Sequence, residues 1–352
     1  MKILLYTDNH WSNTSSIVTG MGDKYTLRLE NQIKSLNWVE EQAISNKCEM
    51  IICLGDFFDK PVLDAKEITA LSEIKWSDIP HVFLVGNHEM ASNDLQISSA
   101  HLLKFIPKSK VIDKPTMDSN YGCELFFLPY ILESNRKPLR EYIDTVSRDY
   151  WSDMWTTDEY KHLIIFSHND ISGVQYGKFE TKTGFSIKEI EENCSYFING
   201  HLHNQCNITD KIFNLGNLTG QNFNEDGFKY FHDIGILDTD TLNIELIHNP
   251  YAFYFYKFGI ENEEDLKNLT NLKDNSIITL KVYEDLVEET KQEIEKNKSI
   301  LVSRIVVIPR NKKVRTKKEN TINSINHIEE LKKYCIDKLG DSSEVLYELN
   351  KL

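Results

Sequence analysis

Five short apolar runs, each stopping at a polar cluster, constrain the fold of this chain more than any other feature. Ile3 to Tyr6 ends at Asp8-Asn9-His10, Met50 to Leu54 at Gly55-Asp56-Phe57-Phe58-Asp59, and His81 to Val85 at Gly86-Asn87-His88-Glu89. Leu163 to Phe166 ends at Ser167-His168, and Ser195 to Ile198 leads into Asn199-Gly200-His201-Leu202-His203. Short continuous apolar runs bounded by turn residues predict strands buried on both faces. Between the first two, Leu29, Ile33, Leu36, Val39 and Ala43 recur at helical spacing and predict an amphipathic helix over 25–46; another helix is expected over 64–75. This alternation of strand and helix signals an α/β layer architecture, in which ligands collect beyond the carboxyl ends of strands.

The remaining pattern is less regular. Leu95, Ala100, Leu102, Leu103, Phe105 and Ile106 suggest a further helix ending before Pro107. A strand is expected over Cys123–Leu128 and a charged, surface-lying helix over 136–160. Asp238-Thr239-Asp240 separates two strands, about 228–237 and 241–248, as a hairpin. The character changes at Pro250: the aromatic stretch Tyr251–Tyr256 reads as a strand packed between domains. A strand (276–283), an acidic helix (284–297) and a strand (300–308) then form a small β-α-β unit. Six Lys or Arg lie within 310–318, followed by Ile322, Ile325, Ile328, Leu331, Cys335 and Leu339 as an amphipathic helix stopped by Gly340. Asp341 and Glu344 make a capping-box start for a last short helix.

With 40% hydrophobic residues, the 352-residue chain can bury a large core, and its formal net charge of −14 argues against general coating of DNA or membranes. The acidic balance does not exclude a nuclease, because bound cations add positive charge absent from the count. Six cysteines, at 48, 53, 123, 194, 206 and 335, show no C-x-x-C spacing and read as reduced core thiols of a cytoplasmic protein. No apolar run approaches a membrane span, and the amino terminus is too short in apolar residues for a signal peptide.

Taken singly, each polar cluster has a bland explanation. Asp8 caps a turn, Asn87 favours turns on its own account, and His201 and His203 could face outward from a strand. Taken together, the clusters bring carboxylate, imidazole and amide oxygen to the ends of five strands. That is a mixed ligand set suited to Mn, Fe or Zn rather than to Ca or Mg alone. Seven such groups exceed what one metal needs and fit two metals sharing a carboxylate, a site suited to in-line displacement at phosphorus.

D-x-H, GD-x-x-D, GNHE, a strand-end His and GH-x-H, in this order, resemble the calcineurin-like metallophosphoesterase superfamily over residues 1–250. The resemblance implies a two-sheet α/β sandwich with a small carboxyl-terminal α/β cap and terminal helices. It implies that Asp8, His10, Asp56 and His203 hold one divalent ion, and Asp56, Asn87, His168 and His201 a second, with Mn²⁺ expected. His88 would protonate the leaving oxygen, and Asp59, where some members carry His, would orient a ligand or His88. Lys60-Pro61 stands where serine/threonine protein phosphatases continue with Arg-Gly. Asn217–Phe223 replaces the usual Ser/Thr-Pro turn and is expected near substrate. The loop 11–24, with Trp11, either positions DNA or is an ordered surface loop.

The layout beyond residue 250 resembles the nuclease subunit of SbcCD-type repair complexes, especially the shorter phage recombination endonucleases. That resemblance implies a DNA-capping domain (251–309), a basic linker (310–321) and a helical segment (322–352) that binds an SMC-like coiled-coil ATPase. The linker either contacts DNA phosphate or is a solvated tether. The expected function is a two-metal DNA nuclease of repair, recombination or replication, a 3′→5′ exonuclease with single-strand endonuclease activity. It would be a homodimer joined through helices around 62–76 and 93–106, acting in the cytoplasm (the host's, if phage-encoded). The alternatives are a small-molecule or cyclic-nucleotide phosphodiesterase of the same superfamily, or a non-catalytic scaffold on that fold.

Overall fold

A computed structural model describes residues 1–18, 20–119, 124–150, 163–176, 179–297 and 300–310. The chain divides into two compact units, Met1–Ile308 and Pro309–Leu352. The basic linker and terminal helices expected beyond 310 lie outside the described residues, as do 151–160 of the charged stretch.

The first unit opens with four parallel strands, β1 (Lys2–Tyr6), β2 (Met50–Cys53), β3 (His81–Leu84) and β4 (Ser109–Ile112), hydrogen-bonded side by side in that order. A second sheet follows from β5 (Thr116–Asp118), β6 (Glu124–Leu128), β7 (Leu163–Ser167), β8 (Tyr196–Asn199), β9 (Cys206–Asn207) and β10 (Ile212–Asn214). In it β6, β7, β8 and β10 are parallel. The chain then returns to the first sheet as the hairpin β11 (Asp233–Asp238) and β12 (Asn243–His248), with β11 antiparallel to β1. The fold is an α/β sandwich of two six-stranded sheets.

Alternation along the strands builds the layers. Ile3, Leu5, Ile52, Leu54, Val82 and Leu84 face Leu125, Phe127, Ile164, Phe166 and Ile198 in the core between the sheets. Leu4, Tyr6, Ile51, Cys53 and Phe83 point the other way, onto α1 (Leu27–Ser45). On the far side Phe126, Leu128, Ile165 and Phe197 pack on α3 (Leu139–Tyr150) and α4 (Ile187–Asn193). Period-2 side chains buried on both faces explain why the strands read as unbroken apolar runs. Thr26 caps α1 by accepting the Leu29 N–H, and Asp64 with Glu67 forms a capping box for the short α2 (Ala65–Ala70), which tightens into a 3₁₀ turn at Leu71–Glu73.

Three local expectations change. The helix expected before Pro107 is instead a two-stranded hairpin, Met90–Ala91 with Asp94–Ser98, followed by a 3₁₀ helix over Ser99–Phe105. Ser92 and Asn93 turn the hairpin with φ of 54° and 56°, a left-handed pair that ends any helix there. Residues 228–229 form turn and 230–232 irregular chain rather than strand, so β11 begins only at Asp233. The aromatic stretch becomes strand only from Tyr254, as β13 (Tyr254–Ile260).

β13, β14 (Ser276–Tyr283) and β15 (Ile300–Ile308) make a parallel three-stranded sheet, with α5 (Val287–Lys296) in the crossover from β14 to β15. Alternate residues at the start of its first strand and just before it serve two clusters. Tyr254 and Tyr256 join the core of the small sheet, whereas Phe253 and Phe255 pack with Val18 and Phe223.

Candidate metal centre

The carboxyl ends of β1, β2, β3, β7 and β8 carry the five polar clusters to one rim. Asp8, His10 and Asp56 each have φ of 48° and His201 has φ of 72°, conformations that cost a non-glycine residue about 1–3 kcal/mol. A ladder that continues beyond the strands holds them there. Asp8 N–H donates to Gly55 (3.1 Å), His10 N–H to Asp56 (3.0 Å) and Trp11 N–H to Phe57 (2.7 Å). Two glycines make room: a Cβ on Gly55, whose φ is 124°, would meet the His168 ring at 2.4 Å, and one on Gly86 would meet Asp56 Oδ1 at 2.1 Å. Backbone strain at this density marks a site that packing over-determines.

The four inward-facing histidines are oriented alike. His10 Nδ1 lies 3.0 Å from Asp59 Oδ1, His168 Nδ1 2.9 Å from the Leu54 carbonyl, His203 Nδ1 3.3 Å from Glu225 Oε1, and His201 Nε2 3.2 Å from Asp170 Oδ1. Each outer nitrogen therefore donates its proton to an oxygen, which in the neutral ring leaves the inner nitrogen as a lone pair. These lone pairs converge. His10 Nε2 is 3.2 Å from His203 Nε2, and both lie within 3.9 Å of Asp8 Oδ1. His168 Nε2 is 3.1 Å from Asp56 Oδ2, and His201 Nδ1 is 3.0 Å from Asn87 Oδ1. Asp56 lies between the two groups, with Oδ2 4.0 Å from His10 Nε2 and Oδ1 accepting the His88 N–H at 2.9 Å.

Acceptors aimed at acceptors repel unless a cation lies among them. Asp8 Oδ1 and His168 Nε2 are buried without a hydrogen bond, and Asp8, Asp56 and His168 are each at most 1% exposed. Burial raises Asp56, yet His168, His10 and His88 hold it well below the usual carboxylate range. Burial alone would lower His168, but the carboxylates of Asp56 and Asp8 outweigh it and raise its pKa. The cluster therefore draws positive charge. Three subsets, Asp8/His10/His203, His10/Asp56/His88 and Asp56/His168/His201, have the proximity to hold an ion. This donor set fits two divalent cations of borderline hardness.

The structure thus gathers Asp8, His10, Asp56, Asn87, His168, His201 and His203 in one place. His88 stands at the lip with its side chain 43% exposed and its Nδ1 3.1 Å from the Asp59 carbonyl, so Asp59 touches both His10 and His88. A cavity of about 400 Å³ opens over Asp56, Asn87, His88, His201 and His203. Trp11, by contrast, is fully buried and donates its indole N–H to the Glu67 carbonyl at 3.0 Å. It is a core residue and offers no stacking face.

Sequence reading missed the residues behind the ligands. Asp170 follows His168 by two positions, the only signal it offered; Glu225 lay in a turn with none. Glu89 completes GNHE by accepting the Phe58 and Gly86 N–H groups at 3.0 and 2.8 Å, and burial followed by the Asp56 charge pushes its carboxyl up to about 8. Asn217–Phe223 passes behind the site: Leu218 N–H donates to the Thr7 carbonyl (3.1 Å) and Gln221 Nε2 to the Asp8 carbonyl (3.3 Å). Glu225→Gln and Asp170→Asn, which replace the charged acceptor behind a histidine with a neutral one, are expected to weaken Mn²⁺ binding about 10- to 100-fold. Calorimetric titration of the metal measures this, and unaltered affinity would remove both residues from the site.

Residues 1–205 match the calcineurin-like phosphoesterase family. "Exonuclease subunit 1" of Enterobacteria phage T4 is 25% identical over 310 residues, which span 83% of this chain and 80% of that protein. Among solved structures, a Thermus thermophilus protein aligns over 70% of this chain and 98% of its own, at 10% identity and a TM-score of 0.42. A dimetal phosphatase from Danio rerio aligns over the same shares, at 11% identity and a TM-score of 0.39.

Proposed function

The chain belongs to the calcineurin-like phosphoesterase family and is a metal-dependent phosphoesterase, and on that footing we propose that it is a two-metal DNA nuclease. The observation that carries the two-metal reading is the position of Asp56, fully buried between two groups of inward-facing donors. Asp8, His10, Asp56 and His203 hold one ion, and Asp56, Asn87, His168 and His201 the other, with Mn²⁺ as the ion used. When bound, the two ions supply Lewis-acid activation of water and of the phosphoryl oxygens. Asp59 and Glu225 keep His10 and His203 in the tautomer that presents a lone pair inward. Asp170 and the Leu54 carbonyl do the same for His201 and His168. His88, held through Nδ1 by the Asp59 carbonyl, keeps Nε2 free to deliver a proton to the departing oxygen.

DNA is favoured over other phosphate esters by the phage relative, which is named an exonuclease subunit and aligns across most of both chains. On this reading the chain degrades DNA 3′→5′, nicks single strands, and serves repair or recombination in the cytoplasm. It does so as the nuclease subunit beside an SMC-like ATPase bound through 322–352, with 251–309 capping the DNA. Val62, Ile68, Ile97 and Phe105 are exposed apolar side chains within the segments 62–76 and 93–106, which supports a homodimer joined there. Sedimentation velocity of the full chain reads the dimer directly. Among the described residues no helix is long and apolar enough to cross a membrane.

The test is hydrolysis of 3′-labelled linear duplex and of circular single-stranded DNA with Mn²⁺. Release of mononucleotides from the labelled end, loss with a chelator and recovery with added Mn²⁺ are expected. Rapid hydrolysis of bis(p-nitrophenyl) phosphate or a cyclic nucleotide with no attack on DNA would overturn the reading.

A further inference from the structure

A second polar cavity, of about 430 Å³, opens beside the metal-ligand rim, with Thr14, Ser15, Ser16, Arg28, Asp59 and Gln221 in its walls. Arg28 is its unusual member. The residue is 5% exposed, lies in the first turn of α1, and has no ion-pair partner among the described residues. A buried guanidinium is costly without an anion in contact, and the amide ends of a helix amino terminus add to that cost, which the Asp59 and Glu225 carboxylates offset only from a distance. Among the described residues only Nη2 is engaged, donating to the His10 carbonyl at 3.1 Å and to the Gln221 carboxamide, and Nε is buried with no partner. Gln221 in turn donates to the Asp8 carbonyl, so one short network ties this cavity to the backbone of two candidate ligands. Among the described residues Asp59 is the only acidic side chain in the wall, and its Oδ1 is occupied by His10.

We propose that this cavity is a phosphate subsite: Arg28, with the hydroxyls of loop 14–16, holds a phosphodiester neighbouring the one being cleaved. The inference rests on the nuclease reading and deepens it. A planar guanidinium with free N–H groups suits a phosphate's non-bridging oxygens, and the serine and threonine hydroxyls offer further donors. The subsite registers the strand, so that the scissile phosphate falls at the Asp56/His88 cavity. It distinguishes a polynucleotide from an isolated diester by a contact that only the polynucleotide can make.

The test compares kcat/KM on an oligonucleotide with kcat/KM on bis(p-nitrophenyl) phosphate, which has no neighbouring phosphate. Arg28→Gln is expected to lower the ratio of the two at least tenfold, mostly through KM for the oligonucleotide. Ser16→Asp places a carboxylate at the exposed lip without disturbing the core, and is expected to lower the same ratio. A neutral methylphosphonate at the neighbouring linkage should cost the wild type a similar factor and Arg28→Gln little more. If both Arg28→Gln and Ser16→Asp leave the ratio unchanged, or methylphosphonate costs variant and wild type alike, the subsite is overturned while the nuclease reading stands. If the wild type hydrolyses the small diester but no oligonucleotide, the nuclease reading falls and this occupant with it.

Discussion

Replacing Asp56 with alanine is expected to abolish phosphodiester hydrolysis, and to do so by removing metal rather than by unfolding the chain. Asp56 follows β2, its Oδ1 accepts the His88 N–H, and its Oδ2 faces His168 at 3.1 Å and His10 at 4.0 Å. This carboxylate faces a histidine of each group, His10 in one and His168 in the other. Metal ions in such sites supply several kcal/mol of charge stabilisation, so their loss lowers kcat/KM by about 1,000-fold or more. The effect should be equal on DNA and on bis(p-nitrophenyl) phosphate, since both need the ions. Elemental analysis of the purified variant should show fewer ions per chain than the wild type. Activity that survives the substitution, or an unchanged metal content, would sink the shared-carboxylate assignment.

His88→Ala is expected to behave differently, and the contrast separates proton delivery from metal binding. His88 is held through Nδ1 against the Asp59 carbonyl, packs edge-on against His10 with ring centroids 4.6 Å apart, and is the most exposed member of the cluster. General-acid catalysis contributes about 10²- to 10⁴-fold, and the substitution should cost kcat on DNA that much with metal content unchanged. The leaving oxygen of DNA is a poor leaving group that needs a proton, whereas p-nitrophenolate departs without one. Hydrolysis of bis(p-nitrophenyl) phosphate should therefore fall far less than hydrolysis of DNA. Equal losses on the two substrates would mean that His88 positions phosphate or holds metal instead.

The parts of this molecule that were legible in its sequence share a physical cause. β1, β2, β3, β7 and β8 are buried on both faces, so composition alone announces them, and their polar clusters stand out where the apolar runs stop. The same reading failed at 90–105, where Leu95, Ala100 and Leu102 mimic helical spacing. A left-handed pair at Ser92 and Asn93 turns that segment into a hairpin before a short 3₁₀ turn. It left open whether the loop carrying Trp11 positions DNA; the indole itself is fully buried against α2.

The sequence by itself determined the α/β class, the five strand-end clusters and the chemistry of a borderline-hard donor set, because strand burial and ligand type are properties of local composition. It could also separate Asp59 from Asp56, by departure from a familiar pattern. Only the tertiary structure decided which nitrogen of each histidine faces inward, because that depends on acceptors far along the chain: Asp59 for His10, Leu54 for His168, Glu225 for His203. It also placed Arg28, an unremarkable residue of an amphipathic helix, in a polar cavity beside the rim. Such pairings follow from the way β1, β2 and the turn after β10 close upon one another, and no window of sequence contains both partners.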